Sequence, residues 1–373
     1  MSIKKRLELV LRNVAKPIDE FVITLEDLEQ LLSSKPNPTA YIGYEPSGPI
    51  HVGYLPALEK ILDLQKAGFH VTILLADLHA FLNRKGPLEL IKEVSETYWP
   101  EIFAALGVDH AKYVLGSSYQ LEKDYVLDLM ILSERVRVKE AWKAMTLIAR
   151  EAEDPTVSQY VYPLMQALDI LYLEADLAFG GTDQRKVHVL AREQFSSSEL
   201  KLNHEKWVPV AIHLPIILGL TGEKMSSSKP ETHIAVHDRP ETIRKKMRNA
   251  LCQPDITDPE QNPIFSYLHY IIFPYVDKFI VRRPEKYGGD VTYKTLEELE
   301  RDYLEGRLHP LDLKMAIAEY FIKRLESARK KLEADPDILR PVYNLQKWQW
   351  EHGLISRTAW EKLSTEYSYY GLR

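Results

Sequence analysis

The chain has 373 residues, 45% of them hydrophobic, which is enough to bury at least one large core and favours two or three domains. Its single cysteine, Cys252, excludes an intramolecular disulfide and any zinc site built on paired cysteines. A net charge of −6 argues against a sequence-blind nucleic-acid coater, which needs many cations to neutralise phosphates. The first segment, MSIKKRLELVLRN, alternates charge with apolar positions at helical spacing and lacks the unbroken apolar stretch of a signal peptide. No later run approaches membrane-spanning length, so a cytoplasmic protein with no membrane partner is expected.

From residue 40 the pattern reads strand, turn, helix: the β-rich TAYIGY, the break PSGP, then Val52, Leu55, Leu58, Ile61 and Leu62 at helical spacing. A second strand follows at HVTILLA, then a helical stretch at roughly 88–106 and a third strand at AKYVLG. Strands separated by helices of this length point to a parallel sheet with right-handed crossovers. Residues from about 120 to 172 read as helical almost throughout, an insertion between two halves of one nucleotide fold, placed at about 117–172. The strand ADLAFGG then returns the chain to the sheet. A mixed segment leads to TGEKMSSSKPET, residues 221–232, which reads as a flexible, exposed loop.

The expected class is therefore α/β: a Rossmann-like parallel-sheet domain over 1–232 with a helical insertion, followed by a mainly α-helical domain over 233–332. Residues 333–373 form an extension whose Trp348, Trp350 and Trp360 suggest a packed appendage. Three basic clusters could supply a locally basic face, although each taken alone reads as a solvated one: Arg244, Lys245, Lys246 and Arg248; Arg282, Arg283 and Lys286; and Lys323, Arg324, Arg329, Lys330 and Lys331.

Two segments suit phosphate chemistry. In PSGPIHVGY, where a strand turns into a helix, Gly48 and Gly53 allow close approach of backbone and phosphate, while the helix N-terminus and His51 offer donors to an anion. In the 221–232 loop, Lys224 and Lys229 bracket Met225, Ser226, Ser227 and Ser228. Mobile positive charge with hydroxyl donors suits a pentavalent α-phosphate and a pyrophosphate leaving group. A third feature is a polar stripe, Tyr162, Gln166 and Asp169, at i, i+4 and i+7 of a helix. Its partners could be a neighbouring helix that it caps or bridges, or a ligand.

HVGY and KMSSSK, in this order and on these elements, resemble the two signatures of class I aminoacyl-tRNA synthetases, HIGH and KMSKS. Residues 40 to about 330 resemble the tyrosyl enzymes of archaea and eukaryotes in motif order and spacing. Tyr54 stands where the first signature has its second histidine, and the resemblance implies that this position tolerates replacement. What it implies for activity is a tyrosine–tRNA ligase that activates L-tyrosine with ATP to tyrosyl-adenylate and pyrophosphate, then passes tyrosine to the 3′ end of tRNA(Tyr).

For the chemistry, the resemblance implies His51, Gly53, Lys224 and Lys229, with ATP contacts from Gly48, His51, Gly53, Asp183, Met225, Ser226, Ser227 and Lys229. Mg²⁺ would accompany ATP as counter-charge, without a fixed protein metal site. Tyr41 and Asp169 would hydrogen-bond the phenol, an acceptor and donor pair that also matches its chemistry. Tyr162, Gln166 and Gln184 would hold the amino and carboxyl ends, and His79 would line the pocket. On the RNA side, Lys143 and Arg185 would meet the first base pair of the acceptor stem, and Tyr287, His309 and Asp312 the first anticodon base, making 233–332 an anticodon-binding domain. A homodimer joined through the helical insertion is also implied.

Overall fold

A parallel strand buried on both faces shows little alternation of polarity, and TAYIGY and HVTILL are such segments. In the computed structural model, which describes residues 1–145, 154–195, 200 and 208–373, they lie side by side in a six-stranded sheet. Its strands are β1 (Val22–Ile23), β2 (Thr39–Tyr44), β3 (His70–Leu75), β4 (Lys112–Leu115), β5 (Leu177–Gly181) and β6 (Val210–Leu214), in the spatial order β1-β6-β5-β2-β3-β4. β2 to β6 run parallel and β1 is antiparallel. The winding direction reverses between β2 and β5, where Ala40 pairs with Leu177, and sheets of this kind bind ligands beyond the strand ends at that point.

Two compact units divide the chain. The first comprises residues 1–47, 57–100 and 108–215 and holds the whole sheet; the second comprises 48–56, 101–107 and 216–373. Helices Lys123–Arg135, Val138–Met145 and Val157–Tyr172 occupy the region expected to be a helical insertion. Residues 146–153, also expected to be helical, lie outside the described residues. The stretch expected to be one helix over 88–106 widens into a π turn at Val94–Tyr98, just ahead of Pro100, whose ring nitrogen has no hydrogen to give the helix ladder.

Lys60, on the inward face of helix Leu55–Lys66, has no exposed surface. Its ammonium reaches the end of helix Ile3–Leu11 and donates to the carbonyls of Val10, at 2.7 Å, Leu9 and Arg12. A cation there satisfies carbonyls that the helix itself leaves unpaired and meets the negative end of its dipole. Burial brings the Lys60 ammonium down to about 7, against the opposing pull of Asp63.

Five buried histidines are held neutral, each chiefly by burial: His51 is pushed down to about 3, His213 to about 4, and His188, His233 and His237 also fall below the usual range. In an unfolded chain all of them protonate near pH ~6.5. Between that pH and the depressed folded values the unfolded state binds more protons, so stability is full above ~6.5 and is lost as pH falls. The expected slope is up to about 1.4 kcal/mol per pH unit for each such histidine. Urea unfolding measured from pH 7 to pH 5 checks this, and a flat profile would contradict it.

In the second unit, residues 50–52 run antiparallel to 234–236, with Val52 N–H donating to the Ile234 carbonyl at 2.9 Å and Val236 N–H to that of Ile50 at 3.0 Å. A short hairpin, β7 (Phe279–Val281) with β8 (Val291–Tyr293), interrupts what the sequence suggested was helices and loops. Several cations of the basic clusters are paired: Arg244 with Glu319, Lys246 with Asp238, and Lys330 with Glu326. Helices Arg340–Glu351 and Arg357–Tyr369 form the appendage, where the Trp350 and Trp360 rings stack at 5.3 Å.

Candidate active site

The polar stripe on helix Val157–Tyr172 is answered by residues that follow the carboxyl ends of three sheet strands. Tyr162 donates its hydroxyl proton to Glu45, just past β2, at 2.7 Å. Gln166 Nε2 donates to Gln184 Oε1, just past β5, at 2.7 Å. Asp169 Oδ2 faces His79 Nε2, beyond β3, at 3.5 Å, and the His79 ring meets the Tyr162 ring edge-on at 4.6 Å. The stripe therefore surrounds the point where the sheet's winding reverses.

Asp169 has no exposed surface. Its Oδ1 accepts three hydrogen bonds, from Tyr119 at 2.6 Å, Gln120 at 2.8 Å and Tyr125 at 2.9 Å. Oδ2 has no hydrogen-bond partner among the described residues. Burial raises the carboxyl pKa, and His79 with the three donors pulls it back. Nearby Tyr41 on β2 is buried, and burial together with the Asp169 charge holds its phenol well above the ordinary range, so it stays a proton donor. One aimed acceptor and one fixed donor are what a buried phenol requires.

Tyr119, Gln120, Tyr125 and Glu45 were missed by sequence reasoning. Glu45, Tyr119 and Gln120 sit just after strands β2 and β4, and the rule that ligands gather at strand ends would have singled them out. Gly43 was missed too. It lies on the same face of β2 as Tyr41, and a Cβ there would come 2.8 Å from the Tyr41 hydroxyl oxygen. That oxygen ends a rigid, buried ring, so Gly43→Ala overpacks the site by about 1–3 kcal/mol and moves the phenol. We expect affinity for a phenolic ligand to drop about tenfold, near 1.4 kcal/mol, with a lowered melting temperature. Equilibrium dialysis with labelled tyrosine reads the first, and unaltered affinity would show that the Tyr41 position is not decisive.

The two phosphate-suited segments meet within the second unit. A Cβ on Gly48 would lie 2.6 Å from Ser227 Cβ, so close approach of the loop requires that glycine; one on Gly53 would lie 2.8 Å from Met225 Sδ and 2.9 Å from the His51 ring, so there the imidazole leaves no room. His51 Nδ1 accepts the Gly53 amide hydrogen at 3.1 Å, which leaves the proton of the neutral ring on Nε2 as a donor. The His51 ring also packs against Tyr54 at 4.5 Å and His233 at 4.8 Å, so the tyrosine in the signature serves as a wall of the imidazole's pocket.

The 221–232 loop, expected to be flexible and exposed, is folded into successive tight turns. Gly222, at φ +87°, lets Gly219 N–H reach the Glu223 carbonyl at 2.7 Å, and Lys229 N–H closes on Ser226 at 2.9 Å. Thr232 frames the second turn, its Oγ1 accepting from Ser226 N–H at 3.1 Å. Hydroxyl and amide groups inside the loop supply these bonds, and a composition-based reading does not see them. The Lys229 ammonium lies at the surface, 3.2 Å from Glu223. Asp183 sits in the short turn Thr182–Gln184 after β5.

Arg185 begins helix Arg185–Gln194 and donates to the Glu20 carbonyl at 3.0 Å. Lys143 belongs to helix Val138–Met145, which packs against the Arg185 helix. Tyr287 is 61% exposed, with Lys286 Nζ 4.8 Å from its ring centre. His309 caps helix Pro310–Arg324 by accepting the Leu311 N–H, and Asp312 lies in that helix's first turn. Arg283, another residue that sequence reasoning left among the solvated clusters, donates to the carbonyls of Gly289 at 2.7 Å and Arg307 at 2.9 Å, tying the Tyr287 turn to the segment that leads into His309.

A family profile described as class I tRNA synthetases (W and Y) matches residues 33–326. A tyrosine–tRNA ligase of Archaeoglobus fulgidus is 48% identical over 334 residues, covering 89% of this chain and 99% of its own length. One from Methanopyrus kandleri is 49% identical, covering 90% and 99%. Among solved structures, the tyrosyl-tRNA synthetase of Archaeoglobus fulgidus complexed with L-tyrosine superposes with a TM-score of 0.80 at 47% identity, covering 89% of this chain and 100% of that one.

Proposed function

The chain belongs to the class I tRNA synthetases of the tryptophan and tyrosine group and is a tyrosine–tRNA ligase, and we propose that its two residue clusters divide that work. The cluster around Asp169 holds L-tyrosine; residues 48–53 with the 224–229 loop handle ATP. The observation that carries the first assignment is Asp169 itself, with three donors on one oxygen and none on the other, beside a phenol locked as a donor. Tyr41 and Asp169 bond the substrate phenol. Tyr162, Gln166 and Gln184 take its amino and carboxyl ends, and His79 walls the pocket.

The carboxylate of bound tyrosine is already a nucleophile, so the first step needs positioning and charge stabilisation but no general base. One carboxylate oxygen attacks the α-phosphorus, the bond to the bridging oxygen breaks, and pyrophosphate leaves with the electron pair. His51 donates from Nε2, and Lys224 and Lys229 offset the growing charge. Gly48, Gly53, Met225, Ser226 and Ser227 shape the nucleotide contact, and Asp183 accepts from the ribose. Mg²⁺ enters with ATP as its counter-charge. The terminal ribose hydroxyl of tRNA(Tyr) then attacks the tyrosyl carbonyl carbon, and AMP departs.

On the RNA side, Lys143 and Arg185 face the acceptor stem, and Tyr287, His309 and Asp312 read the first anticodon base. Catalysis falls to residues 1–232 and anticodon reading to 233–332, with 333–373 as an appendage. A cytoplasmic homodimer is proposed, with the exposed apolar side chains Leu121, Leu127, Met130 and Val138 of the insertion as support for its contact surface. The direct test is a two-step one. Supplied with ATP, Mg²⁺ and L-tyrosine, the protein will carry tyrosyl-adenylate through gel filtration, and added tRNA(Tyr) will discharge it onto the RNA. An adenylate that forms but never passes to tRNA(Tyr) refutes the ligase assignment.

A further inference from the structure

The appendage at 333–373 meets the phosphate-suited loop in two places: helix Arg357–Tyr369 packs against the Pro230–Thr232 turn, and one side chain reaches further into the loop. Gln346, on helix Arg340–Glu351, has no exposed surface, and its Nε2 donates to the Ser227 carbonyl at 3.0 Å. Its Oε1 accepts from the Tyr367 hydroxyl on helix Arg357–Tyr369. The direction of both bonds is forced: a carbonyl can only accept, so the amide must turn its NH₂ to Ser227 and its oxygen to the phenol. A buried glutamine with both ends engaged has one orientation available to it.

Gly48 also lies close against Ser227. An added Cβ on Gly48 would meet Ser227 Cβ at 2.6 Å and Gln346 Nε2 at 3.6 Å, so the first signature, the loop and the appendage converge on one point. Tyr367 is itself fixed: its ring stacks on His237 at 5.2 Å, and its neighbours anchor the same helix. Glu366 accepts from Thr242 at 2.7 Å and pairs with Arg239 at 3.2 Å, while Tyr370 donates to the His237 carbonyl at 2.8 Å. These anchors lie just after the loop in the chain, so the appendage grips both the loop's tip and its exit.

We propose that residues 333–373 brace the phosphate-handling loop and that Gln346, oriented by Tyr367, is a positioning residue for ATP. By fixing Ser227 against Gly48 it sets where Lys224 and Lys229 stand. This rests on the reading that the 224–229 loop handles the phosphates. The glutamine touches no substrate; it acts through the loop backbone.

The test is tyrosine-dependent ATP–pyrophosphate exchange by the full chain, comparing Gln346→Met, Tyr367→Phe and Lys229→Ala, with tyrosine affinity by equilibrium dialysis and thermal melting alongside. Methionine keeps the volume but cannot donate to Ser227; phenylalanine keeps the stacking but frees the amide. Gln346→Met is expected to lower kcat and raise KM for ATP, each about tenfold, and Tyr367→Phe to do so more weakly, with tyrosine affinity within about twofold of the parent in both. Wild-type kcat and KM for ATP in Gln346→Met, with Lys229→Ala impaired, overturns the brace and leaves the phosphate assignment standing. Parallel loss of tyrosine and ATP binding with a lowered melting temperature also overturns it, since that is general destabilisation. Unimpaired exchange in Lys229→Ala overturns the phosphate assignment, and the brace falls with it.

Discussion

Asp169→Ala will lower kcat/KM for tyrosine activation by about a thousandfold or more, near 4 kcal/mol, while sparing ATP affinity. The substrate phenol loses its charged acceptor, a bond of about 1.5–3 kcal/mol, and the Tyr41 hydroxyl is left beside an apolar methyl group. The same substitution strips Tyr119, Gln120 and Tyr125 of their common acceptor. An orphaned buried donor costs about 1–3 kcal/mol, so the pocket rearranges and the fold weakens. Asp169→Asn separates the two effects. It keeps an oxygen for the three donors and so preserves the melting temperature, but it removes the charge that faces the ligand. Steady-state pyrophosphate exchange with both variants, read beside their melting curves, checks the argument, and tyrosine activation unchanged in Asp169→Ala would end the phenol assignment.

Lys224→Ala and Lys229→Ala will each lower kcat for activation by about a hundredfold or more, the magnitude that follows from losing a preorganised charge at a developing anion. Tyrosine affinity stays at the parental value in both, because the Asp169 cluster belongs to the other compact unit and contains neither lysine. Lys229 lies at the surface on Glu223, so its removal costs the fold little. Pre-steady-state measurement of adenylate formation at saturating ATP and tyrosine distinguishes a loss of rate from a loss of binding. A raised KM for ATP with intact kcat would mean that the lysines bind the nucleotide without stabilising the transition state.

Much of this was legible in the sequence because the elements concerned obey local rules. β2, β3, β4 and β5 announce themselves as apolar runs bounded by turn residues, and the stripe of Tyr162, Gln166 and Asp169 follows from helical period alone. β1 and β6 did not, since one has two residues and the other, VAIHL, hides a buried histidine among apolar neighbours. That histidine is explained only by the fold: His213 donates from Nδ1 to the Phe21 carbonyl at 2.9 Å and accepts from His188 at 3.1 Å. The same limit hid Gln346, whose partner in the loop lies 119 positions away. Tyr119 and Tyr125 were invisible for a related reason: a tyrosine's role in holding a carboxylate depends on which helix crosses it, and no periodicity records that.

ATP–pyrophosphate exchange with purified protein and Mg²⁺, each of the twenty amino acids supplied separately and no RNA added, decides whether the buried donor and acceptor pair selects tyrosine for activation by ATP. Exchange with tyrosine alone is the expected result. Exchange with tryptophan would keep the fold and overturn the pocket, and no exchange with any amino acid would contradict the activation chemistry itself.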